Sequence, residues 1–135
     1  MGMVLKIIGK DLCWVDEEKD TLLKRYQPVS KIIEFRKVGS DCIIIHEDPG
    51  NYNSINSNIY CLDDNFHITW YAETPHDKDA YPNRVEWNKE INDNSTGWEN
   101  YDVENPNTFT TASRKGFTVT IDYKTGKIIK SLFTK

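Results

Sequence analysis

Two short acidic segments, each beginning with a histidine, carry side chains that could do chemistry. His46-Glu47-Asp48 brings together an imidazole and two carboxylates, the groups used in general acid–base catalysis. If the strand continues through them, His46 and Glu47 point to opposite faces, and the alternative is a polar strand end. His76-Asp77-Lys78-Asp79 offers an imidazole and two carboxylates that either bind a divalent cation or belong to a solvated loop.

Other catalytic signatures are missing from the sequence. It has no nucleophile elbow, no glycine-rich phosphate loop and no HExxH zinc motif. The basic turn Ser113-Arg114-Lys115-Gly116 either holds a phosphate or is solvated. Cys13, Cys42 and Cys61 are odd in number and lack CxxC spacing, which indicates small buried thiols in a reducing compartment. We therefore predict no catalytic residue, no metal ion and no cofactor.

The composition is that of a single folded domain spanning residues 1–135. Hydrophobic residues make up 38%, aromatic residues 12% and charged residues 28%, which excludes collagen-like and wholly disordered chains. The net charge of −4 argues against nucleic acid or an anionic membrane as the main partner. No apolar run resembles a secretory signal or a membrane span, so we expect a cytoplasmic protein.

Alternating hydrophobicity predicts the elements that must position these groups. Residues 117–123 and 128–133 form a C-terminal hairpin around a turn at 124–127, preceded by a strand at 109–112. Residues 58–62 and 66–71 form a second hairpin, whose turn Asp63-Asp64-Asn65 contains residues that bond their own backbone.

The upstream half continues the same pattern. Residues 32–38 and 42–46 form a third pair, and the second strand is apolar on both faces, which predicts a central position in its sheet. Residues 4–8 and 12–15 are also strands, whereas 16–25 is either a short helix or a turn followed by a strand at 22–26. The predicted fold is all-β: a single antiparallel β-meander domain of about eight strands, a sandwich or partly open barrel, with room for one short helix.

Residues 75–107 form an acidic, aromatic-rich insert. They hold three of the five prolines and eight acidic against three basic residues, a net charge of −5, and residues 84–91 could form one or two helical turns. Such a long connection in a compact domain is often functional. We predict a partner-binding surface of aromatic anchors and steering carboxylates. Its residues are Asp77, Asp79, Tyr81, Trp87, Trp98, Glu99, Tyr101 and Asp102. In the alternative interpretation, the aromatic side chains pack as core over an open sheet.

The two clear hairpins share a motif. Asn58-Ile59-Tyr60-Cys61-Leu62-Asp63 with Ile68-x-Trp70, and Gly116 to Ile128 with the sequence GFTVTIDYKTGKI, resemble the outer strands of quinoprotein-type (PQQ-like) β-propeller repeats. The chain also resembles a group of small bacterial proteins that carry the same pair of motifs in the same order. The resemblance implies a β-meander and a bacterial source. It implies no quinone cofactor, because a propeller needs about four to eight blades and this chain has at most two.

These features lead to a non-catalytic protein-binding function. A specific form of this hypothesis is an immunity- or antitoxin-like protein whose acidic aromatic face covers a basic toxin domain. The expected partner is a protein, and neither nucleic acid nor a membrane is expected to bind. One alternative is a small enzyme or ligand-binding barrel with a pocket near His46 or His76. Another is a structural module that completes its sheet by oligomerisation, since exposed edge strands can pair.

Overall fold

The computed structural model describes residues 2–38, 41–51, 56–89, 99–101 and 107–134, and this part of the chain is almost entirely β-structure. It contains twelve strands and one short 3-10 turn at Pro49–Asn51. No helix among these residues is long and apolar enough to cross a membrane.

The strands form three sheets that follow one another along the chain. The N-terminal sheet has the order β1 (Met3–Ile8), β2 (Asp11–Asp16), β3 (Thr21–Tyr26). The middle sheet has the order β4 (Ile32–Val38), β5 (Cys42–Glu47), β6 (Ile59–Leu62), β7 (Ile68–Tyr71). The C-terminal sheet comprises β8 (Glu86–Lys89), β9 (Glu99–Tyr101), β10 (Thr108–Ala112), β11 (Phe117–Asp122) and β12 (Ile128–Phe133), in the order β12-β11-β10-β8-β9. Neighbouring strands are antiparallel, except that β8 and β9 are parallel. The all-β meander is thus confirmed, and none of the described sheets closes into a barrel.

The middle sheet contributes to both hydrophobic cores. On one face, Ile44 and Ile59 pack with Phe109 and other residues of the C-terminal sheet. On the opposite face, Ile43 packs in a cluster with Leu12 of the N-terminal sheet. Because β5 pairs with both β4 and β6 and is buried on both faces, its predicted central position is confirmed.

An aspartate closes each of the two hairpins that the sequence predicts most clearly. The Oδ1 atom of Asp63 accepts hydrogen bonds of 2.9 Å from the backbone N–H groups of Asn65 and His67. In the later hairpin, Asp122 Oδ1 accepts one of 2.8 Å from the Lys124 N–H. The side chain thereby takes over backbone donors that the turn leaves unpaired, so both hairpins and their turn chemistry are confirmed.

Of the two alternatives for residues 16–25, the turn followed by a strand is confirmed, whereas the helical turns proposed for 84–91 are not found in the described residues 84–89. Residues 17–20 form a turn, closed by Asp16 Oδ1 on the N–H groups of Glu18 and Lys19, and the chain then pairs with β2 as β3. The described part of the proposed helix at 84–91 contains β8, because Trp87 pairs with Phe109 and is buried against it. With β9 also added from the insert, the strand count exceeds the predicted eight or so.

Candidate functional site

A polar pocket of about 660 Å³ opens between the middle sheet and the hairpin of β10 and β11. Residues 72–80 after β7, residues 56–58 before β6 and Arg114 in the β10–β11 turn contribute to its walls. Its charged lining residues are Glu73, Asp77, Asp79, Lys78 and Arg114. Three acidic and two basic side chains make the pocket weakly acidic, and its volume falls within the range of about 300–1,000 Å³ usual for ligand sites.

Asp79 is held firmly in the pocket wall by one of its two carboxylate oxygens. Asp79 Oδ1 accepts hydrogen bonds from the N–H groups of Ala80 at 2.9 Å and Lys115 at 3.0 Å, and the Arg114 N–H donates to the Ala80 carbonyl at 2.8 Å. The second oxygen, Oδ2, is buried and has no hydrogen-bond partner among the described residues. Leaving a buried polar atom of this kind without a partner costs about 1–3 kcal/mol, which a hydrogen-bond donor placed beside it would offset.

Next to the pocket, the Lys115 side chain contacts the segment 76–79, which the sequence suggested as a possible metal site. Its Nζ donates to the Asp77 carbonyl at 2.5 Å and lies 3.2 Å from His76 Nδ1. The imidazole stacks on Phe117, with ring centroids 6.4 Å apart. Among the described residues, no three His, Cys, Asp or Glu side chains gather closely enough to hold a metal ion.

Asn58 fixes the segment that carries Asp79. Its buried Nδ2 donates to the carbonyls of Tyr81 and Glu47, both at 2.8 Å, and its Oδ1 accepts from the Tyr81 N–H at 3.0 Å. One side chain thus satisfies both backbone groups of Tyr81, which follows Asp79 by two residues. The pocket wall is therefore anchored to the start of β6.

His46 reinforces this anchor from β5. Its Nε2 donates to the Tyr81 carbonyl at 2.7 Å, and its Nδ1 lies 2.7 Å from Glu34 Oε2, which also accepts from the Val85 N–H at 2.8 Å. The His46 side chain is 1% exposed and that of Glu34 9% exposed. Because both ring nitrogens are engaged, His46 supports structure and is not placed to exchange protons with a substrate in the pocket.

Glu47 lies on the other face of β5, as the strand alternation predicts, so the His46-Glu47-Asp48 triplet does not converge. Its fully buried carboxylate accepts hydrogen bonds from the Ser30 N–H at 2.5 Å and from the Tyr60 hydroxyl. The Tyr26 hydroxyl donates in turn to Tyr60 at 2.8 Å. Burial is the main cause, and the hydrogen bond to Glu47 the second, of a Tyr60 pKa far above its ordinary value. The Tyr60 hydroxyl therefore keeps its proton and remains a donor.

The structure brings only part of the predicted partner-binding set together. Asp77 and Asp79 lie at the pocket. Tyr81 and Trp87 are 0% and 7% exposed and belong to the core beneath it, where no partner reaches them in this conformation. The remaining predicted side chains, Trp98, Glu99, Tyr101 and Asp102, lie outside the described residues, although β9 contains the backbone of two of them.

The charge of the insert divides unevenly along its length. Residues 75–89 contain three acidic and three basic residues, whereas residues 90–106 contain five acidic and no basic residues. The net −5 therefore belongs to the second part. The pocket owes its acidity to the local arrangement of Glu73, Asp77 and Asp79, not to the insert as a whole.

Sequence reasoning missed Glu34 and Asn58, which hold the site from below. Both occur in segments correctly predicted as strands or strand starts, where polar residues are usually solvent-facing. Their partners, Val85 and Tyr81, are 51 and 23 residues away in the sequence, so spacing could not reveal the contacts. A carboxylate directly opposite a histidine, as Glu34 is to His46, was the one available signal once strand register was known.

The comparisons with known proteins add no family to this description: neither a scan against protein-family models nor a search among curated proteins gave a match for the chain.

Proposed function

We propose that this protein is a non-catalytic binding protein whose polar pocket receives a cationic side chain, arginine or lysine, from a basic protein partner. The observation that carries the proposal is the buried Asp79 Oδ2 without a partner among the described residues, in a pocket that Glu73 and Asp77 also line. A guanidinium or ammonium group supplies the donors that this oxygen lacks and the opposite charge.

Rigidity supports binding in preference to catalysis. The Asp79 carboxylate is already oriented by two backbone N–H groups, so it loses little conformational entropy when a partner arrives. His46 does not line the pocket, and both of its ring nitrogens are engaged. The acidic residues of 90–106 would add long-range attraction for a basic partner and raise the association rate.

The concrete biological version is an immunity- or antitoxin-like protein that covers a basic toxin domain in the bacterial cytoplasm. Cys13, Cys42 and Cys61 are free thiols, which fits a reducing compartment. In such a pair, the inhibitor acts by occupying the surface of its partner, so it needs complementary charge and shape but no chemistry of its own.

A titration with N-acetyl-arginine amide, followed by NMR, tests the pocket directly. The backbone N–H groups of Ala80 and Lys115 both donate to Asp79 Oδ1, so their resonances report on this carboxylate. We expect saturable shifts of both signals, and no such shifts with N-acetyl-glutamate amide. Asp79→Asn keeps an oxygen for those two donors but removes the charge, and should abolish the response.

Asp64→Asn is the matched control, because Asp64 is an exposed turn residue in the β6–β7 hairpin, outside the pocket lining. This variant should titrate like the wild type. The proposal fails if the arginine probe leaves Ala80 and Lys115 unshifted, or if it shifts them equally in Asp79→Asn. Once a protein partner is known, Asp79→Asn should raise the Kd of the complex by roughly tenfold or more, the loss of affinity expected for a partly buried charge pair.

Self-association is a second candidate function, favoured by the edge strand β12. Its Leu132 and Phe133 side chains are 61% and 63% exposed, and among the described residues β12 pairs only with β11, which leaves its other edge open to a second strand. Sedimentation equilibrium of the wild type and Leu132→Lys would detect it: association should be weaker in the variant. A monomer at every concentration of the wild type removes this candidate.

A further inference from the structure

Two cysteines on neighbouring strands of the middle sheet form a close pair away from the polar pocket. The register pairs Ile43 with Leu62 and Ile44 with Cys61, so Cys42 and Cys61 are diagonal neighbours on one face. Their sulfur atoms are 2.8 Å apart, and both thiols are free. A disulfide bond has an S–S length of about 2.05 Å, so the two sulfurs need to approach by less than about 1 Å to form one.

The pair is reached from solvent through a second cavity, of about 560 Å³. Its lining includes both cysteines, with Trp70 and Tyr123 as aromatic walls and Lys124 at the side. Cys42 is half-buried and Cys61 is buried, so the two sulfurs differ in access.

Cys13 provides a contrast within the same chain. It is 0% exposed and does not line this cavity. The contact recorded for its sulfur is a long one of 3.8 Å to the Asp11 carbonyl. Among the described residues, no second sulfur contacts the Cys13 thiol, in contrast to the Cys42–Cys61 pair.

The close contact between the two sulfurs favours ionisation of one of them. The hydrogen bond between the two sulfurs lowers the pKa of Cys61 and raises that of Cys42, so the pair loses its first proton more readily than an isolated buried thiol. A thiolate is the nucleophilic form of cysteine, and redox-sensitive thiolates commonly have a second cysteine in contact that can resolve the oxidised intermediate.

We propose that Cys42 and Cys61 form a peroxide-reactive dithiol site that closes to an intramolecular disulfide. The Cys61 thiolate attacks one oxygen of hydrogen peroxide, the O–O bond breaks, and the products are a sulfenic acid on Cys61 and hydroxide. The Cys42 sulfur then displaces the hydroxyl group, which leaves as water after taking the Cys42 proton. Overall, the thiolate and the thiol lose two electrons and one proton, the hydroxide takes a second proton from solvent, and one peroxide is reduced to two water molecules.

The unequal exposure of the sulfurs also provides the return step. An external thiolate reaches the half-buried Cys42 sulfur first, forms a mixed disulfide with it, and expels Cys61 as a thiolate. The better leaving group is the thiol of lower pKa, so this direction of attack is the favoured one. A second external thiol then releases Cys42, and the dithiol is restored at the expense of one small-molecule disulfide.

Mass spectrometry of the full chain tests the site. After brief treatment with stoichiometric hydrogen peroxide, the protein is unfolded and alkylated with N-ethylmaleimide. The wild type should lose two hydrogen atoms and accept one label, on Cys13, and dithiothreitol should restore three labels. We expect the pair to be oxidised roughly tenfold faster than Cys13, because thiolate character and a resolving partner favour it.

Single substitutions separate the two roles. In Cys42→Ser the sulfenic acid on Cys61 has no resolving thiol and should be trapped by dimedone, whereas Cys61→Ser should react no faster than Cys13. Because Cys61 is buried, Cys61→Ala serves as a second variant, with circular dichroism to verify folding. Oxidation spread evenly over all three cysteines, or no dimedone adduct in folded Cys42→Ser, would overturn the proposal.

Discussion

Replacement of Glu34 by glutamine tests whether the buried pair of His46 and Glu34 anchors the segment above it. In the wild type, one proton lies between His46 Nδ1 and Glu34 Oε2, and the same oxygen accepts the Val85 N–H. The Nε2 proton is already committed to the Tyr81 carbonyl, which can only accept. Glutamine is nearly isosteric, so Glu34→Gln changes the proton arrangement without creating a cavity.

No arrangement of the glutamine amide satisfies all of these groups. If the glutamine oxygen faces His46 and Val85, it accepts the Val85 N–H but meets the lone pair on Nδ1 of a neutral His46. If His46 is instead protonated, Nδ1 can donate to this oxygen, but the imidazolium is then a buried charge without a counterion. If the glutamine NH2 group faces them, the Val85 N–H meets another donor. Each outcome leaves one buried group unsatisfied, which costs about 1–3 kcal/mol, or 3–5 kcal/mol for an unpaired charge. We therefore expect Glu34→Gln to lower the free energy of unfolding by about 2–4 kcal/mol.

Urea denaturation followed by circular dichroism measures this change, with an unchanged m-value as the sign of a two-state loss of stability. In a thermal scan, a loss of about 3 kcal/mol corresponds to a fall of roughly 10 °C in Tm for a chain of this size. Glu17→Gln is the control: its side chain is 57% exposed and lies 4.0 Å from Lys6 Nζ, so the expected effect is under about 0.5 kcal/mol. If Glu34→Gln is as mild as Glu17→Gln, the reasoning about the buried pair is wrong.

Two further predictions concern the chain at single positions. Gly126→Ala should lower the free energy of unfolding by about 2–5 kcal/mol in urea denaturation, because φ is +76° and an added Cβ would overlap the Trp70 ring. The control Gly9→Ala, at φ +65° with nothing within 4 Å of the added Cβ, should lower it by only about 1–2 kcal/mol, and equal losses in the two variants would contradict the prediction. The rate of iodoacetamide labelling of Cys61 should rise with pH around a midpoint near 7, because the hydrogen bond with Cys42 lowers the pKa of Cys61 to about 7. A midpoint at the ordinary thiol value of 9.0 would refute this prediction.

The hairpins were predictable because their determinants are local. Alternating apolar residues assign faces, and aspartates such as Asp63 and Asp122 satisfy turn donors within four residues of themselves. The doubly apolar strand 42–46 predicted a central position in its sheet, which is confirmed because β5 lies between β4 and β6, with Ile44 and Ile43 in the cores on its two faces.

The polar network was not predictable, because its contacts are set by how the sheets pack. Glu34, His46 and Asn58 meet the 81–85 backbone only after the chain has turned from the middle sheet towards the C-terminal sheet. The strand β8 was missed for a related reason. Its four residues show little alternation, and the burial of Trp87 against Phe109 decides its conformation.

The same network ties the stability of the fold to the geometry of the polar pocket. Tyr81 receives hydrogen bonds from Asn58 and His46, and only Ala80 separates it from Asp79. If the network positions the carboxylate, Glu34→Gln should weaken arginine binding even far below its Tm, where the folded fraction is complete. If the network only stabilises the fold, binding should follow the folded fraction alone. Asp79→Asn gives the opposite pattern, lost binding with nearly unchanged stability, so the two variants together separate the pocket from its support.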